Sequence, residues 1–216
     1  MRVDVKFCGL TRPEDAALGA SLGAAFLGVV FAPSPRRVDA AAARKVFAQL
    51  DGPKRVGVFG TEAPQDIARI ADEAGLDVVQ LHGDPTSQDV AAVRALFDGE
   101  VWAACRIDGD RLPGHIDALV AAADRILVDT HTGPGAALGG SGVQFAWESV
   151  AQLLMRLRGQ TPLVVAGGLR PDNVGRAIEA LSPDVVDVSS GVEAAPGIKD
   201  ASLMRAFAQA VGATTK

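Results

Sequence analysis

Short apolar runs alternate with stretches of helical periodicity from one end of the chain to the other, and that alternation constrains the fold more than any other feature. The runs are Val3–Phe7, Phe26–Phe31, Arg55–Phe59, Asp77–Leu81, Val101–Cys105, Arg125–Val128, Leu163–Ala166 and Val185–Val188. Most are apolar throughout instead of alternating with polar residues. Strands buried on both faces look like this, and parallel sheets bury both faces. Between the runs, Ile67, Ile70, Ala71 and Ala74 fall at i, i+3, i+4 and i+7, with Gly75 to stop the helix. Val90, Val93 and Phe97 repeat the stripe, as do Leu203, Phe207 and Val211 near the end. Thr11 and Glu14 have the spacing of a capping box for a first helix carrying Leu18 and Leu22, and Pro171 is placed to open one carrying Val174, Ala177, Ile178 and Leu181. A fifth helix, around Leu112–Ala122, has Pro113, Gly114 and His115 crowding its start.

Parallel strands joined by helical crossovers admit two architectures, an open doubly wound sheet and a closed barrel. Eight units in 216 residues leave about 27 residues per unit with none left over. That favours an α/β fold of the (β/α)₈ barrel type, a single domain over residues 1–216. No linker, low-complexity tract or long charge run interrupts the alternation.

One stretch resembles a membrane span. Ala16 to Pro35 holds no charged residue and is long enough to cross a bilayer. It also holds Gly19, Gly23, Gly28, Pro33 and Pro35, which suit the back of a helix, a turn and a buried strand. A formal charge of −5 and a pI near 5.2 speak against nucleic-acid or anionic-membrane partners, which need clustered positive charge. Two cysteines, Cys8 and Cys105, make no disulfide framework and show no zinc spacing, so the expected setting is reducing and cytoplasmic.

In such a barrel, chemistry belongs at the C-terminal ends of the strands. Gly167-Gly168 follows the seventh run and Ser189-Ser190-Gly191 the eighth. Glycine lets backbone N–H groups approach an anion and hydroxyls add donors, so this pair of loops is read as a phosphate site. Gly139-Gly140-Ser141-Gly142 is a third glycine-rich loop, a candidate lid. Cys8 ends the first run and is followed by Gly9; a thiolate there is a candidate base or nucleophile. Cys105 has no such turn after it and is read as structural. Asp129 closes the sixth run, where a carboxyl after three apolar residues is costly unless it is paired or used. In a dry pocket it would hold its proton and donate it. Arg36 follows the stiff Pro33-Ser34-Pro35 segment and is suited to a carboxylate ligand, with Arg37 beside it on the surface. Gln80, near the end of the fourth run, and His82, just after it, follow the same logic. His115 and His131 sit in weaker contexts, and no His or carboxylate cluster suggests a metal.

These motifs resemble, in order and spacing, those of the phosphoribosylanthranilate isomerases. The resemblance runs through Lys6-Phe7-Cys8-Gly9-Leu10-Thr11, Phe31 to Arg36, Val56-Gly57-Val58-Phe59 and Val79-Gln80-Leu81-His82-Gly83. It continues through Leu127-Val128-Asp129-Thr130, Gly139 to Gly142, Ala166-Gly167-Gly168-Leu169 and Asp187-Val188-Ser189-Ser190-Gly191-Val192-Glu193. It implies a (β/α)₈ barrel that performs an Amadori rearrangement in tryptophan biosynthesis with no metal or organic cofactor. The substrate would be N-(5-phosphoribosyl)anthranilate. Asp129 would be the general acid that opens the ribose ring and Cys8 the general base that takes the C2′ proton. Arg36 would hold the anthranilate carboxylate, and Gly167, Gly168, Ser189, Ser190 and Gly191 the phosphate. Gln80 and His82 would line the pocket. Monomer and homodimer both fit.

Two positions depart from the family pattern. Phe145-Ala146-Trp147 stands where the family has Phe-Asp-Trp, and Phe7 replaces the usual Ile before the cysteine. Two other readings compete. A sister barrel of histidine biosynthesis isomerises a related sugar phosphate, but carries a carboxylate where this chain has Cys8. A catalytically dead barrel could bind a phosphorylated metabolite, although retention of both Cys8 and Asp129 speaks against it.

Overall fold

The computed structural model describes residues 2–107, 111–129, 147–157 and 159–214. Among them, parallel strands β1 (Asp4–Phe7), β2 (Phe26–Val30), β3 (Lys54–Phe59), β4 (Val78–Leu81), β5 (Glu100–Arg106), β6 (Arg125–Asp129), β7 (Leu163–Ala166) and β8 (Val185–Val188) follow one another around a barrel. Asp4 pairs with Val185, and the register runs up to Phe7 opposite Val188, so β8 returns to β1. That closure decides between the two architectures in favour of the barrel. Around it lie α1 (Pro13–Ser21), α2 (Ala40–Val46), α3 (Pro64–Ala74), α4 (Ser87–Arg94), α5 (Ile116–Ala122), α6 (Trp147–Leu157), α7 (Val174–Leu181) and α8 (Ala201–Thr214). A short hairpin, β9 (Glu193–Ala195) with β10 (Ile198–Lys199), lies between β8 and α8.

The apolar runs split by parity. Val5, Phe7, Val79, Leu81, Ile126, Val128, Val186 and Val188 pack in the large core between strands and helices. The alternate residues Phe26, Val56, Val78, Trp102, Leu127, Val164 and Val185 form a separate cluster that fills the barrel axis. A strand flanked by apolar layers on both faces needs no polar alternation. At the N-terminal end the axis is closed by Trp102 against Phe26, ring centroids 4.8 Å apart. The Arg125 guanidinium lies over both rings, at 5.3 and 5.4 Å. Glu100 ties this floor together: it accepts from the Trp102 indole at 2.8 Å and pairs with Arg125 and Lys54.

Several local expectations are corrected. Thr11 and Glu14 do not form a capping box. Helix α1 starts at Pro13 after Arg12, and the Thr11 hydroxyl donates instead to the carbonyl of Gly197 in the hairpin. A capping box does occur at Thr86 and Asp89, at the start of α4. Helix α7 begins at Val174, after a turn containing Pro171. Phe97 lies past the end of α4 but packs on the core. Met204, not Leu203, joins Phe207 and Val211 on the buried face of α8. Helix α5 begins at Ile116 because the proline, glycine and histidine before it keep the chain out of helix. The uncharged stretch from Ala16 to Pro35 covers most of α1, a turn at Gly23 with φ 79°, and β2. Among the described residues no helix is long and apolar enough to cross a membrane.

Candidate active site

The inward parity that fills the axis with apolar side chains changes character at the C-terminal strand ends. There it presents Cys8, Gln80, Asp129 and Asp187 in place of valine and leucine. These residues line one pocket that opens to solvent. Strands β1 and β6 are separated by β7 and β8 around the closed barrel, so Cys8 and Asp129 enter the pocket from different walls. The other positions singled out from the sequence, Arg36, His82, Gly167, Gly168, Ser189, Ser190 and Gly191, line it too. Cys105 is buried, does not line the pocket, and has its pKa pushed up to about 12 by burial. The candidate lid at Gly139–Gly142, His131 and the departure at Ala146 lie outside the described residues.

Cys8 is held by the turn that follows it. Gly9 takes a left-handed φ of 68°, and a Cβ there would sit 2.6 Å from Arg36 Cδ and 2.8 Å from Ser189 Oγ. Only glycine fits between the arginine and Ser189. Burial pushes the Cys8 thiol up; Lys6 and Lys199 pull it down, and Asp187 adds to the rise. The net lies above the ordinary cysteine value.

Asp129 faces an imidazole. His82 Nε2 lies 3.3 Å from Asp129 Oδ2, and His82 Nδ1 lies 3.1 Å from Gln80 Nε2. The ring is held from both sides, each nitrogen having a partner among the described residues.

The β7α7 loop carries Gly167 and Gly168 at φ 96° and 63°. Asn173 fastens it: its Nδ2 donates to the Gly168 carbonyl at 3.0 Å, and its Oδ1 accepts from the Arg170 amide at 2.7 Å. Facing it, Ser190–Val192 forms a single 3₁₀ turn. A Cβ on Gly191 would lie 1.8 Å from the Leu169 carbonyl oxygen, so the two loops touch through backbone. Successive backbone amides in glycine loops of this kind suit an anion.

A family model, N-(5′-phosphoribosyl)anthranilate isomerase, matches residues 5–210. The chain belongs to the phosphoribosylanthranilate isomerase family. It is 42% identical to the N-(5′-phosphoribosyl)anthranilate isomerase of Pseudomonas aeruginosa (strain LESB58), over 97% of this chain and 95% of that one. The crystal structure of the phosphoribosyl anthranilate isomerase of Thermotoga maritima superposes with a TM-score of 0.85 at 36% identity, covering 98% and 99% of the two chains. A phosphoribosyl anthranilate isomerase solved in complex with reduced 1-(o-carboxyphenylamino)-1-deoxyribulose 5-phosphate gives 0.81 at 33% identity, with the same coverage.

Against that family background, three features of this isomerase-family site escaped the sequence reading. Arg36 does not project its full fork into the pocket. Its Nε and Nη2 donate to the two carboxylate oxygens of Glu193 at 2.8 and 2.7 Å, while its backbone amide donates to Ser34 Oγ at 3.1 Å. Hydrogen bonding to Glu193 outweighs burial and raises the Arg36 pKa above its ordinary value. Glu193 also accepts from Lys199 Nζ at 2.8 Å. Burial pushes the Glu193 carboxyl up, but the two cations outweigh it and hold it below the ordinary glutamate value. Lys6 and Asp187 form a buried pair at 2.8 Å inside the barrel. Both were visible as charges inside apolar runs, Val5-Lys6-Phe7 and Val186-Asp187-Val188, at inward parity. Arg37, beside Arg36, is exposed as expected.

Proposed function

We infer that this chain isomerises N-(5-phosphoribosyl)anthranilate to 1-(2-carboxyphenylamino)-1-deoxyribulose 5-phosphate by general acid–base catalysis. The observation that carries the reading is a thiol and a carboxyl on different walls of one pocket, with an anion-suited glycine pair and an arginine also lining it. The relatives named above, and the ligand held by one of them, are what this chemistry requires.

Asp129 gives its proton to the ribose ring oxygen. The C1′–O bond breaks, its electron pair stays on that oxygen, and the anilino nitrogen lone pair forms the protonated C1′=N bond. The Cys8 thiolate then takes the C2′ proton. The C2′–H pair becomes the C1′=C2′ bond, the C1′=N π pair returns to nitrogen, and the resulting enolamine tautomerises to the ketone. His82, braced by Gln80, orients the Asp129 carboxyl. The phosphate sits on Gly167, Gly168, Ser189, Ser190 and Gly191. The anthranilate carboxylate meets the Arg36 edge that Glu193 does not occupy. Anchoring both anionic ends holds the sugar between acid and base, which lowers the entropic part of the barrier.

The test is loss of substrate fluorescence on adding the protein to freshly generated substrate, run in parallel with the related sugar-phosphate substrate of histidine biosynthesis. Catalytic turnover of the anthranilate compound alone is expected. Stoichiometric quenching without turnover would identify a binder, and turnover of the second substrate only would identify the sister activity.

A further inference from the structure

Lys6 and Asp187 are buried charges that the proton transfers above leave unused. Lys6 is fully buried, points into the barrel two residues before Cys8, and stands opposite Asp187 in the β1–β8 register. Its ammonium donates to Asp187 Oδ2 at 2.8 Å. A buried ion pair gains little over a well-packed apolar pair, so stability alone does not account for one here. Gly28 shows where the Lys6 side chain runs. A Cβ on Gly28 would lie 3.0 Å from Cys8 Sγ and 3.3 Å from Lys6 Cε. Thiol and lysine stem therefore converge over the same bare point on β2. Asp187 lines the pocket with Cys8, and its second oxygen, Oδ1, is buried with no hydrogen-bond partner among the described residues.

We propose that Lys6 is a positioning residue for the base: its ammonium, anchored by Asp187, is the fixed positive charge against which the Cys8 thiolate forms. The proposal rests on the reading of Cys8 as the base. Lys6 exchanges no proton in the step. The thiol loses its own proton to water, its electron pair stays on sulfur, and the sulfur later takes the C2′ proton. The charged groups facing the thiol are Lys6 on its own strand, Asp187 on β8, Lys199 on β10 and Arg36 after β2. His82 and Asp129 lie across the pocket. Arg36 and Lys199 already share Glu193. The Lys6 charge favours the thiolate and the Asp187 charge opposes it.

The test titrates the thiol by iodoacetamide alkylation across pH, which reads Cys8 because Cys8 lines the open pocket and the buried Cys105 does not; Cys8→Ser supplies the blank. Lys6→Met alone would strand a buried carboxylate, so the charge-neutral pair Lys6→Met with Asp187→Asn is used, with folding checked by thermal melt. Its alkylation midpoint should rise by about one pH unit or more, and the acidic limb of kcat should move with it. Asp187→Asn alone should move the midpoint down, because Lys6 keeps its charge and loses the opposing one. Lys6→Arg should keep the parent pH profile. A purely structural pair would not give shifts of opposite sign. An unchanged midpoint in the folded neutral pair, or an unchanged or raised one in Asp187→Asn, overturns the proposal. If the neutral pair does not fold, the Asp187→Asn arm decides alone. Failure of the base assignment itself would be seen separately, as near-parental turnover in Cys8→Ser.

Discussion

Gly191→Ala adds one methyl group at the point where the two loops proposed to hold the phosphate meet. The new Cβ would lie 1.8 Å from the Leu169 carbonyl oxygen, 2.9 Å from its carbon and 3.0 Å from Arg170 Cγ. The nearest obstacle is backbone, so no rotamer change relieves it. Reaching 3.0 Å, the shortest separation real Cβ atoms tolerate, requires the loops to part by about 1.2 Å. Asn173 holds one of them, through Gly168 and Arg170, so the displacement strains a fastened loop. Overpacking of this size costs roughly 1–3 kcal/mol, a few degrees in Tm for a chain of this length. A displacement of about 1 Å in a positioning element costs on the order of 100-fold in kcat/KM. The assay is steady-state turnover of the anthranilate substrate with inorganic phosphate as competitive inhibitor, and both KM and the inhibition constant should rise together. Gly212→Ala is the matched control: it lies in α8 with nothing within 4 Å of the added carbon, and it should gain about 0.5–1 kcal/mol with unchanged kinetics. A Gly191→Ala protein with parental Tm, and with kcat/KM within about threefold of the parent, would refute the reasoning.

Asp129→Asn and Cys8→Ser should each lower kcat by at least about 100-fold while leaving substrate affinity nearly unchanged, and near-normal turnover in either removes that residue from the chemistry. Arg36→Ala should act on KM more than on kcat, and an unchanged KM would count against its carboxylate role. Because the Cys8 thiol stands above the ordinary cysteine value, its thiolate fraction grows with pH through neutrality, so kcat should climb as pH rises; a flat profile there would place the base elsewhere. Glu193, held below the ordinary glutamate value by Arg36 and Lys199, stabilises the fold above that ordinary value. The contribution disappears as pH falls through the depressed native one, and acid melts of Glu193→Gln should lose this part of the decline.

Fold and site were legible in the sequence to different depths, for physical reasons. Strand runs such as Leu163–Ala166 read correctly to the residue because both faces are buried and nothing polar interrupts them. Helix starts read less well. Thr11 had the right spacing to cap α1, but its hydroxyl is taken by the carbonyl of Gly197, a tertiary partner no local pattern announces. The glycine loops and the strand-end cysteine and aspartate stood out because strand ends are where such barrels do chemistry. Arg36 was legible as a residue but not as half of a pair, since Glu193 is 157 positions away. Lys6 and Asp187 are 181 positions apart, and only the barrel's closure makes them neighbours.

The floor of Phe26, Trp102, Arg125 and Glu100 shares its strands with the mouth, yet draws on their opposite ends. Each strand is thus a rod whose tips answer to unrelated demands. Rim residues are free to drift toward another sugar phosphate while the base keeps the cylinder shut. A catalytic rim transplanted onto this scaffold would inherit a foundation that never met the old one.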